Sequence, residues 1–328
     1  MCMRVDRISF LTNRFMNACL VFLFVLFSFC KISGQEQNNS PLPINEQPIV
    51  INTNLITFNV SVTNPNGLAV SGLSKENFTV LENKIPQEIN FFSNEDAPAS
   101  ISIVLDTSGS MSGKKIDLAK QALADFIQTS KEQDEFFLID VGSKASLLLD
   151  RTRDSEAILQ KFNFVEPKGN TALFDAIELG IERVTKGTHY KKIVLIISDG
   201  EDNNSRLSFR KLKNLLKESN ATIYAVGIDS NLNSQTKGLS GRAALSELAT
   251  VSGGKSYFPD NSEQLADVFD KISLEIRHLY SIGYYPADFA ADGKVRHVSV
   301  KVKTSDESTR LIVHSKKEYR AEPINIDR

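Results

Sequence analysis

Five oxygen-bearing side chains stand at spacings that could hold one hard cation. They are Asp106, Ser108 and Ser110 in Asp106-Thr-Ser-Gly-Ser110, Thr171 in Gly169-Asn-Thr171, and Asp199 in Ser198-Asp-Gly200. No His or Cys belongs to the set, so it suits Mg²⁺ or Mn²⁺, with Ca²⁺ a further option, over softer metals. Mg²⁺ and Mn²⁺ take about six oxygens, and Mg²⁺ keeps some as water. Five side chains, some acting through water, leave a coordination position open. Neutral hydroxyls as direct ligands keep the ion electrophilic, which favours an incoming carboxylate there. Gly109 and Gly200 allow the close backbone approach such loops need. Singly, Asp106 and Asp199 read as helix N-caps; beside three suitably placed hydroxyls they read as ligands. Thr171 could also cap the helix that follows it.

Each loop needs an element to position it. Ile101 to Leu105 is an apolar strand that delivers Asp106. Lys192 to Ser198 is the most apolar run beyond the first 34 residues and delivers Asp199, as a central parallel strand would. Lys115 to Ser130 places Ile116, Ala119, Leu123 and Ile127 on one helical face. Further strands are expected at Asp134–Val141, Ala145–Leu149, Thr222–Gly227 and Lys255–Phe258. Helices are expected at Asp154–Phe162, Leu173–Lys186, Ser208–Glu218, Ala243–Thr250 and Ser262–Leu279. This alternation over 100–280 predicts an α/β fold: a doubly wound, mostly parallel, Rossmann-like sheet with helices on both faces. Open sheets of this kind place ligands at the carboxyl ends of their strands.

On that frame, Asp-x-Ser-x-Ser, then Thr, then Ser-Asp-Gly resembles the metal-ion-dependent adhesion site of von Willebrand factor A domains. The resemblance covers 100–280, and all five motif positions are filled without substitution. It implies a divalent metal held by Asp106, Ser108, Ser110, Thr171 and Asp199, and a binding role without catalysis. A narrower similarity is to a bacterial exported family related to these domains. It rests on Phe58-Asn-Val-Ser-Val62, Gly72 to Glu82, Pro86-Gln-Glu-Ile89 and Ile282-Gly-Tyr-Tyr-Pro286. Ser315-Lys-Lys-Glu-Tyr319 departs from the Arg-x-Gly-Tyr-like ending of that family, which leaves the register of the last strand open.

The flanks read as β. In 49–93, Phe58, Val60 and Val62 alternate with polar residues, and Asn64-Pro-Asn-Gly67 and Ser71-Gly72 signal turns. In 281–320 the strand candidates are Tyr280–Tyr285, Arg296–Lys303 and Arg310–Ser315, with Asp292-Gly293 as a hairpin turn. Either flank alone is marginal for a core. Together they approach an Ig-like sandwich built from both chain ends, into which the α/β domain is inserted. The last helix would then join the two, and its shift could couple the site to the interdomain angle. The tail, 321–328, reads as loose.

Residues 1–34 have a secretory pattern: Arg4, Arg7 and Arg14, then an apolar Ala18–Phe29, then Ser33-Gly34. Lipidation at Cys30 or an uncleaved N-terminal anchor are the alternatives. All three cysteines (Cys2, Cys19, Cys30) lie here, so a mature chain would have neither disulfide nor thiolate. Residues 35–48 read as a flexible linker. The expected location is periplasmic, cell-surface or secreted.

The net charge of −2 and the lack of any basic run give no reason to expect nucleic acid as a partner. The four histidines (His189, His278, His297, His314) are scattered, and Ser108 has no evident base, so enzyme chemistry has no foothold. Asp140 and Asp229 read as loop residues, Asp175 as a first-turn dipole residue, and Glu201-Asp-Asn-Asn204 as a solvated acidic loop, with repulsion or selection of ligands as its alternative role. The expected function is metal-dependent binding of a protein or surface group presenting a carboxylate. A structural subunit of an envelope assembly is the alternative.

Overall fold

The computed structural model describes residues 55–94, 96–228, 237–287, 292–304 and 310–321. The leader, the linker and Asp229 lie outside these residues. In chain order the strands and helices are β1 (Ile56–Thr63), β2 (Phe78–Glu82), β3 (Ile85–Gln87), β4 (Ile89–Ser93), β5 (Ala99–Asp106), α1 (Lys114–Gln128), β6 (Glu135–Val141) and β7 (Ala145–Thr152). There follow α2 (Ser155–Asn163), α3 (Leu173–Thr185), β8 (Lys191–Ser198), α4 (Phe209–Glu218), β9 (Thr222–Gly227), α5 (Lys237–Ser252), β10 (Lys255–Tyr257) and α6 (Ser262–Arg277). The last strands are β11 (Tyr280–Tyr284), β12 (Val295–Val302), β13 (Ile312–Ser315) and β14 (Glu318–Arg320).

The central sheet has the order β10-β9-β8-β5-β6-β7 and is parallel except for the β6–β7 hairpin. Every residue of β5 and β8 is buried, which explains their unbroken apolar runs. On one face Ile116, Leu123 and Phe126 of α1 pack with Phe269 and Ile272 of α6. On the other, Ile177 of α3, Leu212 of α4 and Leu248 of α5 pack against Val194 and Ile196. Numbered within this sheet, the strand order is 3-2-1-4-5-6. The winding direction therefore reverses between β5 and β8, the switch point at whose carboxyl edge sheets of this order form their crevice.

The two flanks build a pair of four-stranded sheets, β13-β1-β11-β4 and β14-β12-β2-β3. Each sheet mixes strands from before and after the α/β domain, and Phe58, Val60, Phe78, Val80, Tyr280 and Val298 share one core. β1 pairs antiparallel with β11, Val60 opposite Tyr280, only three residues beyond the end of α6. All four stretches of the narrower family resemblance contribute side chains to this core. Glu82 Oε2 accepts from the hydroxyls of Tyr284 and Tyr319, each at 2.8 Å, and the Tyr280 hydroxyl donates to Val70 O at 2.9 Å. Tyr280 and Tyr284 are buried and Tyr285 is exposed.

Several expectations are corrected. Asp292-Gly293 is a local turn, with Gly293 at φ +69° and Lys294 N donating to Asp292 Oδ1, but it closes no hairpin. β11 and β12 belong to different sheets, because the sandwich needs strands on both sides of its core. The chain end is ordered past Tyr319: Arg320 is in β14, and the buried Ala321 exchanges backbone hydrogen bonds with Lys294 and Gly293. Residues 322–328 lie outside the described part.

The departure at Ser315-Lys-Lys-Glu-Tyr319 also has a physical account. β13 pairs with β1 while β14 pairs with β12, so the chain changes sheets at Lys316-Lys317. The buried Lys316 Nζ donates to Leu216 O, Lys217 O and Ser219 O at the end of α4, where a cation meets the negative end of the helix dipole. Burial pulls the Lys316 ammonium down to about 7. Lys191 is likewise buried and donates to Ile276 O and Arg277 O at the end of α6. Lys191, at the start of β8, therefore caps α6.

Candidate metal centre

Register brings the first and third loops together. β5 and β8 pair in parallel up to Leu105 opposite Ile197, so Asp106 and Ser198 emerge side by side at the crevice. Ser198 Oγ donates to Asp106 Oδ2 at 2.5 Å and accepts from Gly200 N at 2.9 Å. Ser108 N donates to Asp106 Oδ1 at 2.9 Å, which turns the loop back over its own carboxylate. The Ser108 and Ser110 hydroxyls lie 3.0 Å apart. Asp199 Oδ1 accepts from Glu201 N at 3.2 Å, while its Oδ2 lies 3.7 Å from Lys115 Nζ. Lys115 Nζ also donates to Ser110 O at 2.9 Å.

Thr171 is held through its main chain. Its N–H donates to Asn203 Oδ1 at 2.9 Å, and its carbonyl accepts from both Asn203 N and Asn204 N. Gly109 N donates to Gly169 O at 3.1 Å, which fastens the second loop to the first. Thr171 is not a helix cap; the N-cap of α3 is Ala172, without a side-chain bond. The free N–H groups of α3 are instead taken by Asp202 Oδ1 at Phe174 and Ser205 Oγ at Asp175. Asp175 in turn accepts from Arg206 N and Leu207 N. The stretch read as a solvated acidic loop is thus a clamp between α3 and the third loop, because an anion at a helix N-terminus satisfies donors and dipole together.

Gly200 has a geometry that another residue could not copy without strain. Its φ is +81°, and a Cβ would lie 2.6 Å from Gly241 O in α5. Asp140 also differs from expectation. It lies at the end of β6, and its Oδ1 accepts from Thr107 Oγ1 at 2.5 Å. Burial raises its carboxyl pKa, opposed by that hydrogen bond and by the charge of Lys168.

Asp106 is fully buried. Desolvation pushes its carboxyl up to about 6, with Asp199 adding repulsion and the hydrogen bonds from Ser108 and Ser198 opposing the rise. A buried carboxylate so placed gains from a neighbouring cation. Among the described residues no cluster of three or more His, Cys, Asp or Glu side chains forms. Asp106, Asp199 and the Ser108 and Ser110 hydroxyls come together as an all-oxygen donor set, which would fit a hard divalent ion. Ser198, Thr107, Asp140, Asn203 and Lys115 were not singled out from sequence as parts of the site. Only Lys115 carried a signal, as a cation in the first turn of a helix, where the dipole disfavours it.

Comparison with known proteins bears on the domain that carries these loops. Residues 101–201 match the model of the von Willebrand factor type A domain. The matched stretch runs from the start of β5 through all three loops. An uncharacterized protein from Synechocystis sp. is 27% identical over 175 residues, 51% of this chain and 39% of that protein. The human inter-alpha-trypsin inhibitor heavy chain H3 is 26% identical over 163 residues, 44% of this chain and 18% of that protein. This chain thus matches less than half the length of either relative. Among solved structures, a von Willebrand factor type A protein from Catenulispora acidiphila covers 82% of this chain and 74% of its own, at 13% identity and a TM-score of 0.49. The α/β part has a type-A-like fold with a mostly parallel sheet, flanked by additional antiparallel sheets.

Proposed function

We propose that this chain is an exported binding module whose type A domain uses a divalent metal to clamp an acidic group of a partner protein or surface. The observation that carries the proposal is the convergence of Asp106, the Ser108–Ser110 hydroxyl pair and Asp199 at the switch point of the sheet. In this reading Asp106, Ser108, Ser110, Thr171 and Asp199 hold Mg²⁺ or Mn²⁺, directly or through water. The bound ion supplies a Lewis-acidic position for one carboxylate oxygen of the partner. The chain's own residues orient the ligands: Ser198 fixes Asp106, Asn203 fixes Thr171, and Gly200 lets Asp199 approach α5.

The same edge offers area for a macromolecule. β7 runs away from it and α2 returns, so Phe164, just past α2, stands on the site side. Phe164 is 83% exposed, as an aromatic contact for a partner would be. The secretory pattern of residues 1–34 supports export. No serine, cysteine or histidine of the site is paired as a nucleophile and base, which supports binding over catalysis.

Titration calorimetry of the purified protein with Mn²⁺ and Mg²⁺ tests this reading. Binding in about the micromolar to millimolar range is expected, as for hard ions held by few charged ligands. The double variant Asp106→Ala, Asp199→Ala should lose it while keeping its circular dichroism. Undiminished binding in that variant would remove the assignment.

A further inference from the structure

The first turn of α1 holds two lysines, Lys114 and Lys115, after a Gly113 N-cap that makes no side-chain bond. A helix N-terminus favours anions, so a cation there opposes the dipole. Lys114 is exposed, but Lys115 folds back. Its side chain is only 14% exposed and touches two of the three loops, donating to Ser110 O and facing Asp199 Oδ2 at 3.7 Å. A long, entropically costly side chain drawn into an acidic centre changes the charge of that centre.

We infer that Lys115 is a specificity residue that keeps the metal-loaded centre electropositive, so that the open position selects an anionic ligand. The inference rests on the metal reading above. Asp106 and Asp199 alone would neutralise a divalent ion. With Lys115 beside Asp199, the ion and these three side chains together carry one net positive charge. Two neighbouring acids are engaged elsewhere. Asp140 has Lys168 as its counter-charge, and Asp202 faces the N-terminus of α3. Lys115 therefore weakens metal binding, by competing for Asp199, and strengthens carboxylate binding. These two effects have opposite signs, and a purely structural lysine would produce neither pattern.

The test compares the full protein with Lys115→Met, which keeps the length and removes the charge, and Lys115→Arg, which keeps the charge. Mn²⁺ affinity is measured by calorimetry. Access of a carboxylate is measured by broadening of the acetate methyl resonance at equal bound Mn²⁺, with acetamide as the neutral probe. Lys115→Met should bind Mn²⁺ about tenfold more tightly, the low end of what a charge within about 4–6 Å does. Its acetate broadening should fall severalfold while acetamide is unchanged. Lys115→Arg should behave like the unaltered protein. Unchanged or weaker Mn²⁺ binding in Lys115→Met, or undiminished acetate broadening, would overturn the inference and leave the site standing. Absence of Mn²⁺ binding in the unaltered protein would remove both.

Discussion

Replacing Asp106 by Asn should stabilise the protein in chelator near neutral pH and remove its response to metal. Burial raises the Asp106 carboxyl from its ordinary 3.8 to about 6 in the folded chain. The folded state then binds a proton that the unfolded state has released. Stability from this group is fully present below the unfolded value and lost as pH rises through the folded one. The rise of about two pKa units corresponds to about 3 kcal/mol of strain from the buried charge at about pH 8. Asn keeps the shape without the charge. Its Oδ1 can still accept from Ser108 N, but its Nδ2 cannot accept from the Ser198 hydroxyl, a loss of about 1 kcal/mol. The net gain expected at about pH 8 is therefore about 2 kcal/mol. At about pH 4.5 the unaltered protein already carries the proton when folded, so its disadvantage should shrink by about 2 kcal/mol. Urea denaturation in EDTA at the two pH values reads both quantities. Saturating Mn²⁺ should raise the midpoint of the unaltered protein and leave that of Asp106→Asn where it was. An Asn variant less stable at both pH values, or a gap that does not move with pH, would refute the account of Asp106 as a buried, strained carboxylate.

Asn203→Ala frees Thr171 N and loosens the clamp on α3, so it should cost about 1 kcal/mol in urea denaturation and weaken Mn²⁺ binding severalfold in calorimetry. Lys316→Met leaves three carbonyls at the end of α4 without their donor, so unfolding should become easier by about 2–4 kcal/mol, while Mn²⁺ affinity stays the same because α4 ends at the opposite edge of the sheet.

The frame of the α/β domain was legible because its signals are local. A strand buried on both faces, such as β8, must be continuously apolar, and α1 must repeat its apolar residues at helical spacing. The candidate ligands were legible for the same reason: Asp106, Ser108 and Ser110 sit in one short loop. The contacts that orient them were not, because they join residues far apart in sequence. Ser198 reaches Asp106 across 92 positions, and Asp202 reaches Phe174 across 28. An acidic, Asn-rich stretch has the same composition whether it is solvated or caps a helix, so Asp202 and Asn203 were read as solvent-facing. Lys191 and Lys316 show the matching limit for cations. Lysine marks surface in a sequence, yet both are buried here because each finds helix-terminal carbonyls. The Asp292-Gly293 turn was correctly placed, but a turn fixes local backbone and not which sheet receives the next strand.

The central claim is that Asp106, Ser108, Ser110, Thr171 and Asp199 hold one divalent ion at the switch point of the sheet. Anomalous diffraction from crystals grown with Mn²⁺ tests it most directly. The account predicts one strong peak at the carboxyl edge between β5 and β8, within about 2.5 Å of the Ser108 and Ser110 hydroxyls, and none in crystals of Asp106→Ala, Asp199→Ala. A well-occupied peak elsewhere, with the crevice empty at saturating Mn²⁺, would contradict it.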